Sequence, residues 1–200
     1  MQDPLIPLFP LEIVLFPDEI LPLHIFEDRY KQMIAECLAK GEPAPPESEF
    51  GVAWAQGEEL HTVGCTASVA RVMRYYEDGR LDILTVGRRR FEILFTNRDK
   101  PYLTGAVAFF EDDDPGQPAA SEIERARGLL DEVLRRLKTA GEAAPVASNA
   151  RLISFQIAAR LPLGFEFKQQ ILVMRNERER LHRVTEIMER LIPALDFRET

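Results

Sequence analysis

The first 110 residues carry their apolar positions in short runs that have the length and the β-branched character of strands. Asp78-Gly79 separates two of these runs and predicts a tight hairpin, because glycine tolerates a positive φ. Proline lacks the N–H that a strand ladder needs, so the early strands should be edges or be interrupted by turns at Pro4, Pro7, Pro10, Pro17 and Pro22. Strands are predicted at residues 5–9, 20–26, 50–55, 64–76, 81–86, 91–95 and 102–110.

One segment within this region has helical spacing instead, at residues 27–39. Its apolar positions fall on one face: Tyr30, Met33, Ile34, Cys37 and Leu38. Six or seven short strands with one inserted helix predict a small, partly closed β-barrel over residues 1–110.

The pattern changes to helical spacing from residue 121 onward, which predicts a helical subdomain over residues 120–200. The acidic, proline- and glycine-containing segment at residues 111–120 is interpreted as the linker. The helices are predicted to begin at a capping box of Ser121 with Glu124, at Ser148 or Asn149 (ending at Leu161), at Lys168 (ending at Met174), and at a cap formed by Asn176 with Glu179.

Composition narrows the class of protein. The formal net charge is -8, which is opposite in sign to that of proteins that coat nucleic acid and makes a nucleic-acid partner a disfavoured prediction. The start of the chain lacks the basic region and cleavage site of a signal peptide, and no run approaches 18 apolar residues, so neither export nor a membrane is predicted. Cys37 and Cys65 are interpreted as reduced core residues of a cytoplasmic protein.

A search for catalytic, cofactor-binding and metal-binding motifs is negative. The sequence contains no phosphate-binding glycine loop, no dinucleotide fingerprint and no nucleophile elbow. The histidines His24, His61 and His182 lie far apart and have no partner at metal-ligand spacing. We therefore predict no catalytic residue, no cofactor and no metal; His24 is expected to have a structural role and His182 to be solvated.

The basic cluster at residues 88–90, followed by Phe91, is the one local feature that could contact a phosphate backbone and a base. On a regular strand, however, Arg88 and Arg90 point to one side and Arg89 to the other, so the three would not form a single patch. One of them is expected to pair with an acidic residue inside the fold.

Several motifs, in order along the chain, resemble the amino-terminal, substrate-binding domain of the Lon protease. Residues 6–17 (IPLFPLEIVLFP) resemble the opening of that domain, and residues 21–30 (LPLHIFEDRY) are similar to a run found in free-standing bacterial members. Asp18 departs from the family, which usually has glycine there, so the turn is expected to differ slightly. Further matches lie at residues 50–52, 64–67, 78–81, 87–91, 161–162, 168–172 and 180–181.

The resemblance implies an α+β fold, a PUA-like pseudo β-barrel followed by a helical bundle. It implies a non-catalytic binding module, because the Lon ATPase and Ser-Lys protease lie downstream of this domain and the sequence stops before either. The expected partners are peptides or unfolded protein segments. A protease or chaperone system is a further candidate partner, and the chain is a candidate to form an oligomer.

The shared motifs are expected to act mostly through structure. Glu27 and Arg29 are predicted to form an ion pair that anchors the inserted helix. Turns or close approaches of the backbone are expected at three glycines: Gly64, Gly79 and Gly87. A peptide groove is predicted at four residues, since Tyr and Arg are common binding anchors: Arg29, Tyr30, Arg90 and Phe91.

Two alternatives to peptide binding stay open. PUA-like folds bind RNA elsewhere, and the cluster at residues 88–91 would be the contact. An unrecognised hydrolase would require a nucleophile, a base and a pocket that are brought together only by the fold.

Overall fold

The computed structural model describes residues 5–39, 48–113, 116–137 and 152–196. The chain divides into two compact units, Met1–Glu111 and Asp112–Thr200. The elements of the first unit are β1 (Leu5–Leu11), β2 (Ile20–Ile25), α1 (Asp28–Leu38), β3 (Phe50–Gln56), β4 (Glu59–Tyr75), β5 (Leu81–Asn97) and β6 (Thr104–Phe109). Those of the second are α2 (Ala120–Arg136), α3 (Ile153–Arg160), α4 (Phe165–Val173) and α5 (Glu177–Asp196).

The six strands form one sheet that closes on itself. Their order is β2-β5-β4-β3-β1-β6, and β5 also pairs with β6, so five strands close a barrel and β2 lies outside it. The closure is possible because β5 has 17 residues. Its first part pairs with β2, its last part pairs with β6, and β4 pairs along most of its length. The α+β fold with a PUA-like pseudo-barrel, predicted from the sequence, is confirmed.

The two strands predicted at residues 81–86 and 91–95 are one strand in the structure, so that prediction was wrong. The pairing register of β5 shifts at this point: Arg90 faces Cys65, whereas Gly87 faces Ala67. Arg88 and Arg89 thus lie together opposite Thr66, which is a β-bulge. Thr66 Oγ1 accepts the Arg89 N–H at 3.0 Å. The bulge bends the strand without ending it.

Two glycines permit backbone segments to approach closely. A Cβ at Gly87 would lie 2.0 Å from the Phe16 carbonyl oxygen, and one at Gly64 would lie 2.4 Å from the Val52 carbonyl oxygen. Gly79, in the β4–β5 hairpin, has a φ of 81°. The turn and close-approach roles expected of the three glycines are confirmed.

Asp18 retains a conformation that favours glycine. Its φ is 62°, and its N–H donates to the Gly87 carbonyl at 2.9 Å. Aspartate is among the residues that tolerate the left-handed region. The turn expected to differ at Asp18 therefore keeps a left-handed backbone despite the substitution.

The helices of the second unit begin at positions that only partly match the predictions. The Ser121–Glu124 capping box is wrong: α2 begins at Ala120, and Glu122 Oε2 accepts the Ala119 N–H at 2.7 Å. The cap predicted at Ser148 or Asn149 lies outside the described residues. The Asn176 cap of α5 is confirmed, since its Oδ1 accepts the Glu179 N–H at 3.0 Å.

Apolar faces of the helices supply the core of the second unit, as their spacing predicts. Buried members include Ala126, Leu130, Val133, Ile157, Leu172, Leu181, Val184 and Met188. No helix in the described part of the chain is both long enough and apolar enough to cross a membrane.

A charged side chain lies at the centre of this second unit. Arg180 is fully buried, and its guanidinium is held by Asp112 through two bonds of 2.6 and 2.7 Å. Further bonds join it to Glu177, Ser154 and the Met174 carbonyl. All five guanidinium N–H groups thus have an acceptor. No local sequence pattern indicates this network, because Asp112 lies in the segment interpreted as the linker.

Candidate functional site

The residues predicted to form a peptide groove begin with Arg29 and Tyr30, in the first turn of α1. Arg29 is exposed, and its Nη2 lies 2.7 Å from Glu27 Oε2, so the predicted ion pair forms. The Arg29 guanidinium also lies over the Tyr30 ring at 4.6 Å. Tyr30 is buried against Phe9, with 4.1 Å between ring centroids, and burial raises the pKa of its hydroxyl. Arg29 is thus available at the surface, whereas Tyr30 belongs to the core.

Arg90 and Phe91, on β5, are both buried. The Phe91 ring fills the space left by Gly51 and Gly64, where a Cβ would meet it at 2.7 and 2.5 Å. Arg90 lies over the Phe110 ring at 4.7 Å. A ligand at the surface would not touch Phe91 in this conformation, so of the four predicted residues Arg29 is the one exposed member.

The alternation predicted for the basic cluster is wrong, and the bulge is the reason. Arg88 and Arg89 are both exposed and Arg90 is buried. Arg89 pairs with the buried carboxylate of Glu49 at 3.0 Å, which confirms that one arginine of the cluster has an acidic partner in the fold. Arg88 Nε donates instead to Ser68 Oγ at 2.8 Å. The cluster is therefore divided among three environments.

The other candidate chemical groups named from the sequence are the cysteines and the histidines. No group of three or more His, Cys, Asp or Glu side chains within the described residues is arranged to hold a metal ion. Cys37 and Cys65 are both buried, and burial raises the pKa of the Cys65 thiol far above its usual range. A buried thiol of that kind is a poor nucleophile. His61 stacks on Trp54, with ring centroids 4.1 Å apart, and His182 is exposed.

A surface that the sequence analysis did not predict lies where β2 pairs with β5. Ile20 is in register with Val86, and Pro22 is in register with Leu84, so these side chains share one face of the sheet. Ile20 is 62% exposed, Pro22 is exposed, and Leu84 and Val86 are half-buried. We call these four residues the outer strip. It consists of two adjacent apolar rows that lie on the outside of the barrel.

One end of the outer strip continues into a group of aromatic and polar side chains. His24, the next residue on this face of β2, is in register with Asp82, and its Nδ1 lies 2.6 Å from Asp82 Oδ1. Tyr76 donates to the same carboxylate at 2.7 Å. The bonds from His24 and Tyr76 lower the pKa of Asp82. Phe26, which is 60% exposed, stacks on His24 and extends the apolar surface.

A second exposed apolar row crosses β1, β6 and β5 at another place on the barrel. Ala106 is in register with both Leu5 and Phe95, and Leu94 lies at a register shift beside them. Leu5, Leu94 and Phe95 are each about half exposed or more. Because this row lies elsewhere on the barrel, it provides a matched comparison for the outer strip.

The sequence signal for the outer strip is the composition of β2 itself. An ordinary strand with one solvated face alternates apolar and polar residues, but β2 (ILPLHI) is apolar on both faces over most of its length. Such a strand is normally buried on both sides. In β2, however, the residues of one face, Ile20, Pro22 and His24, are exposed.

Comparisons with known proteins agree with this architecture. Residues 5–190 match the family model described as the ATP-dependent protease La (LON) substrate-binding domain. The chain is 27% identical to the Lon protease of Parabacteroides distasonis and 27% identical to that of Buchnera aphidicola, with 92% and 95% of the chain aligned. It spans about a quarter of the length of these relatives, 24% and 25%.

Two solved structures are similar to the chain as a whole. A Lon N-terminal domain protein from Xanthomonas campestris superposes with a TM-score of 0.66 at 26% identity, covering 90% of this chain and 96% of that one. The N-terminal domain of Mycobacterium avium complex Lon protease superposes with a TM-score of 0.68 at 14% identity, which supports the fold alone. It covers 93% of this chain and 98% of that one.

Proposed function

The chain belongs to the family of the Lon substrate-binding domain, and we propose that it binds extended apolar segments of unfolded proteins through the outer strip, without catalysing a reaction. The observation that carries the proposal is the pair of exposed apolar rows across β2 and β5. Exposed apolar surface of this kind is a common mark of an interaction site.

The spacing of the outer strip suits an extended peptide. Its two rows are two residues apart along the strands, which corresponds to about 6.6 Å at a rise of about 3.3 Å per residue. Side chains i and i+2 of an extended peptide have the same separation and point to the same side. A peptide whose apolar residues alternate can therefore place one on each row, and the gain from burying apolar area does not depend on the identity of each residue.

The open edge of β2 favours recognition by side chains over the addition of a peptide strand. The Glu19 carbonyl accepts the Gly87 N–H at 2.9 Å, so residue 19 directs its backbone towards β5. By alternation, residues 20, 22 and 24 direct their backbone groups to the open edge. Pro22 has no N–H to offer there, so the edge cannot supply a continuous ladder to a peptide.

The four sequence-predicted residues enter this proposal unequally. We propose Arg29 as a secondary contact for the bound segment, since it is exposed. Buried Tyr30, Arg90 and Phe91 would act by maintaining the barrel. The two buried cysteines are also consistent with a reducing compartment, and we propose the cytoplasm.

The proposal is tested by fluorescence anisotropy, with a labelled, permanently unfolded protein titrated with this chain. Ile20→Asp and Leu84→Asp place a charge in the outer strip, and Phe95→Asp is the matched control in the second apolar row. We expect each strip variant to weaken binding about tenfold, or about 1.4 kcal/mol, and the control to bind like the unchanged chain. Labelled single-stranded RNA is titrated in parallel.

The outcomes separate the possible sites and functions. If Phe95→Asp abolishes binding and the strip variants do not, the second row is the site and the outer strip is not. If the unfolded protein does not bind at all, peptide binding is wrong. Saturable binding to RNA alone, weakening steeply with salt, would replace the proposal with the RNA alternative.

A further inference from the structure

A line of three arginines borders the outer strip on its β4 side. Arg71 is in register with Leu84 of the outer strip. Arg74 is in register with Asp82, which lies next to the strip at its aromatic end. Arg88 lies on β5 two residues after Val86 and donates to Ser68, which is itself in register with Val86. All three side chains are exposed. Each row of the strip and its aromatic end thus has a guanidinium beside it.

These arginines keep their charge available to a ligand. Within the described ranges, none of the three forms an ion pair: Arg88 bonds to a serine hydroxyl, and Arg74 lies over the Tyr76 ring at 4.6 Å. Other exposed arginines in the same chain are paired, such as Arg125 with Glu189 and Arg178 with Glu122.

One acidic group lies among these arginines and offsets part of their charge. Asp82 accepts bonds from His24 and Tyr76, and the charge of Arg74 contributes to lowering its pKa. The whole chain carries a formal charge of -8, so three cations with a single carboxylate among them are a departure from its average surface. An acidic ligand would be repelled by much of the molecule and attracted here, which concentrates it at this site.

We infer that the outer strip selects extended segments in which the apolar residues are flanked by Asp or Glu. The inference rests on the proposed function and adds the class of segment that is preferred. Apolar contact with the strip supplies a sequence-tolerant attraction, and carboxylates beside the apolar residues meet guanidiniums that can hold them through two parallel bonds. Lysine-flanked segments meet the same arginines and are repelled.

The test uses three labelled peptides with one alternating Val-Thr-Leu-Thr-Val core. The core is flanked at both ends by three Asp, three Gln or three Lys residues, and binding to the full chain is measured by anisotropy at 50 and 500 mM NaCl. We expect the Asp-flanked peptide to bind tightest at low salt and the Lys-flanked peptide weakest. The difference should shrink at high salt, where screening shortens the range of exposed charges to a few ångströms.

Arg71→Gln identifies the source of the preference, because the Arg71 side chain is exposed and forms no ion pair within the described residues. This change should weaken binding of the Asp-flanked peptide by about two- to fivefold, as expected for the loss of one exposed ion pair. The affinity for the Gln-flanked peptide should stay the same. Arg98→Gln, an exposed arginine on the β5–β6 connection, is the control for net charge and should change neither peptide.

Failure of this inference is distinguishable from failure of the proposed function. If all three peptides bind with equal affinity and the Ile20→Asp variant binds none of them, the outer strip binds apolar segments without charge selection. That result overturns this inference. If Arg71→Gln and Arg98→Gln weaken the Asp-flanked peptide alike, the preference arises from overall charge and not from this border. If no peptide binds and unfolded protein does not bind either, the proposed function itself is wrong.

Discussion

Replacing Arg180 with alanine should be among the most destabilising single changes in the helical unit. The change leaves the carboxylates of Asp112 and Glu177 without their guanidinium, and their side chains are only 14% and 3% exposed. Water can therefore restore little of the lost solvation. Removing one partner of a buried ion pair costs about 3–5 kcal/mol.

The contacts around Arg180 determine where in that range the loss of unfolding free energy falls. Glu177 retains the Ser154 N–H and hydroxyl as donors, at 2.9 and 2.7 Å, which lowers the cost. The guanidinium also lies over the Phe155 ring at 4.4 Å, and losing that contact adds about 0.5–1 kcal/mol or more. We expect a loss of about 4 kcal/mol for Arg180→Ala. Arg180→Lys should lose somewhat less, because the ammonium keeps a positive charge beside the two carboxylates. It should still be destabilising, since a single ammonium cannot hold two carboxylates and a carbonyl in the same geometry.

Urea unfolding measures this loss, with two signals that follow different units. Far-UV circular dichroism follows mainly the helices, and fluorescence follows Trp54, the one tryptophan of the chain, in β3. A loss of about 4 kcal/mol lowers the helical midpoint by about 2 M if the slope is about 2 kcal/mol per M. Arg183→Ala is the control on the same helix: Arg183 is exposed, pairs with Glu186 and lies over the Phe167 ring at 5.7 Å, so its loss should be below about 1 kcal/mol. A midpoint shift for Arg180→Ala no larger than that of Arg183→Ala would refute the reasoning.

Two further changes test other contacts of the barrel. Hydrogen bonds from Lys100, and then from Tyr102 and Gln32, lower the pKa of Glu36 to about 2. A depressed carboxyl pKa stabilises the folded state fully above the ordinary value of 4.5, and that contribution is lost as pH falls from there towards 2. Because Glu36 is 37% exposed, Glu36→Gln should cost less than about 1 kcal/mol at pH 7, and its deficit against the unchanged chain in urea unfolding should narrow between pH 5 and pH 2. The control is Glu92→Gln, which changes an exposed carboxylate on β5. A Glu36→Gln deficit that stays constant over that pH range, or one that Glu92→Gln reproduces, would show that the charge of the Glu36 carboxylate is not the cause. Pro22→Val restores an N–H at the open edge of β2, and we expect concentration-dependent self-association in sedimentation velocity. Ile20→Val, which keeps the backbone donor as it is, should stay at the size of the unchanged chain; equal behaviour of the two variants would contradict the role given to Pro22.

The elements of the fold could largely be predicted from the sequence, because periodicity reports directly on which residues share a face. The inserted helix, the hairpin at Gly79 and the apolar stripe of α5 all follow from local spacing. The bulge at Arg88 and Arg89 could not be predicted in this way. It depends on Thr66, more than 20 residues away, which occupies the position opposite the extra residue and accepts the Arg89 N–H.

The candidate site was harder to predict than the fold, for a related reason. Periodicity shows that a face is apolar but not whether another element covers it, and β2 is apolar on both faces although the residues of one face are exposed. The four residues chosen from the sequence were aromatic and basic, which are residue types that favour binding. The aromatic rings of Tyr30 and Phe91, however, are buried in the core. Arg180 shows the reverse: its partner Asp112 is 68 positions away in sequence, so no local pattern could reveal it.

A surface that binds unfolded protein must expose apolar residues without binding copies of itself, and two features of the outer strip serve that requirement. Pro22 interrupts the donors of the open edge, so two copies of β2 cannot form a continuous ladder. The arginine border acts on the other mode of association. Two strips packed face to face would bring Arg71, Arg74 and Arg88 of one copy near the same three of the other, and like charges desolvated together are destabilising. An acidic, apolar segment meets neither obstacle, since it presents side chains to the rows and carboxylates to the arginines. The same border that is proposed to select the ligand therefore also disfavours self-association of the strip.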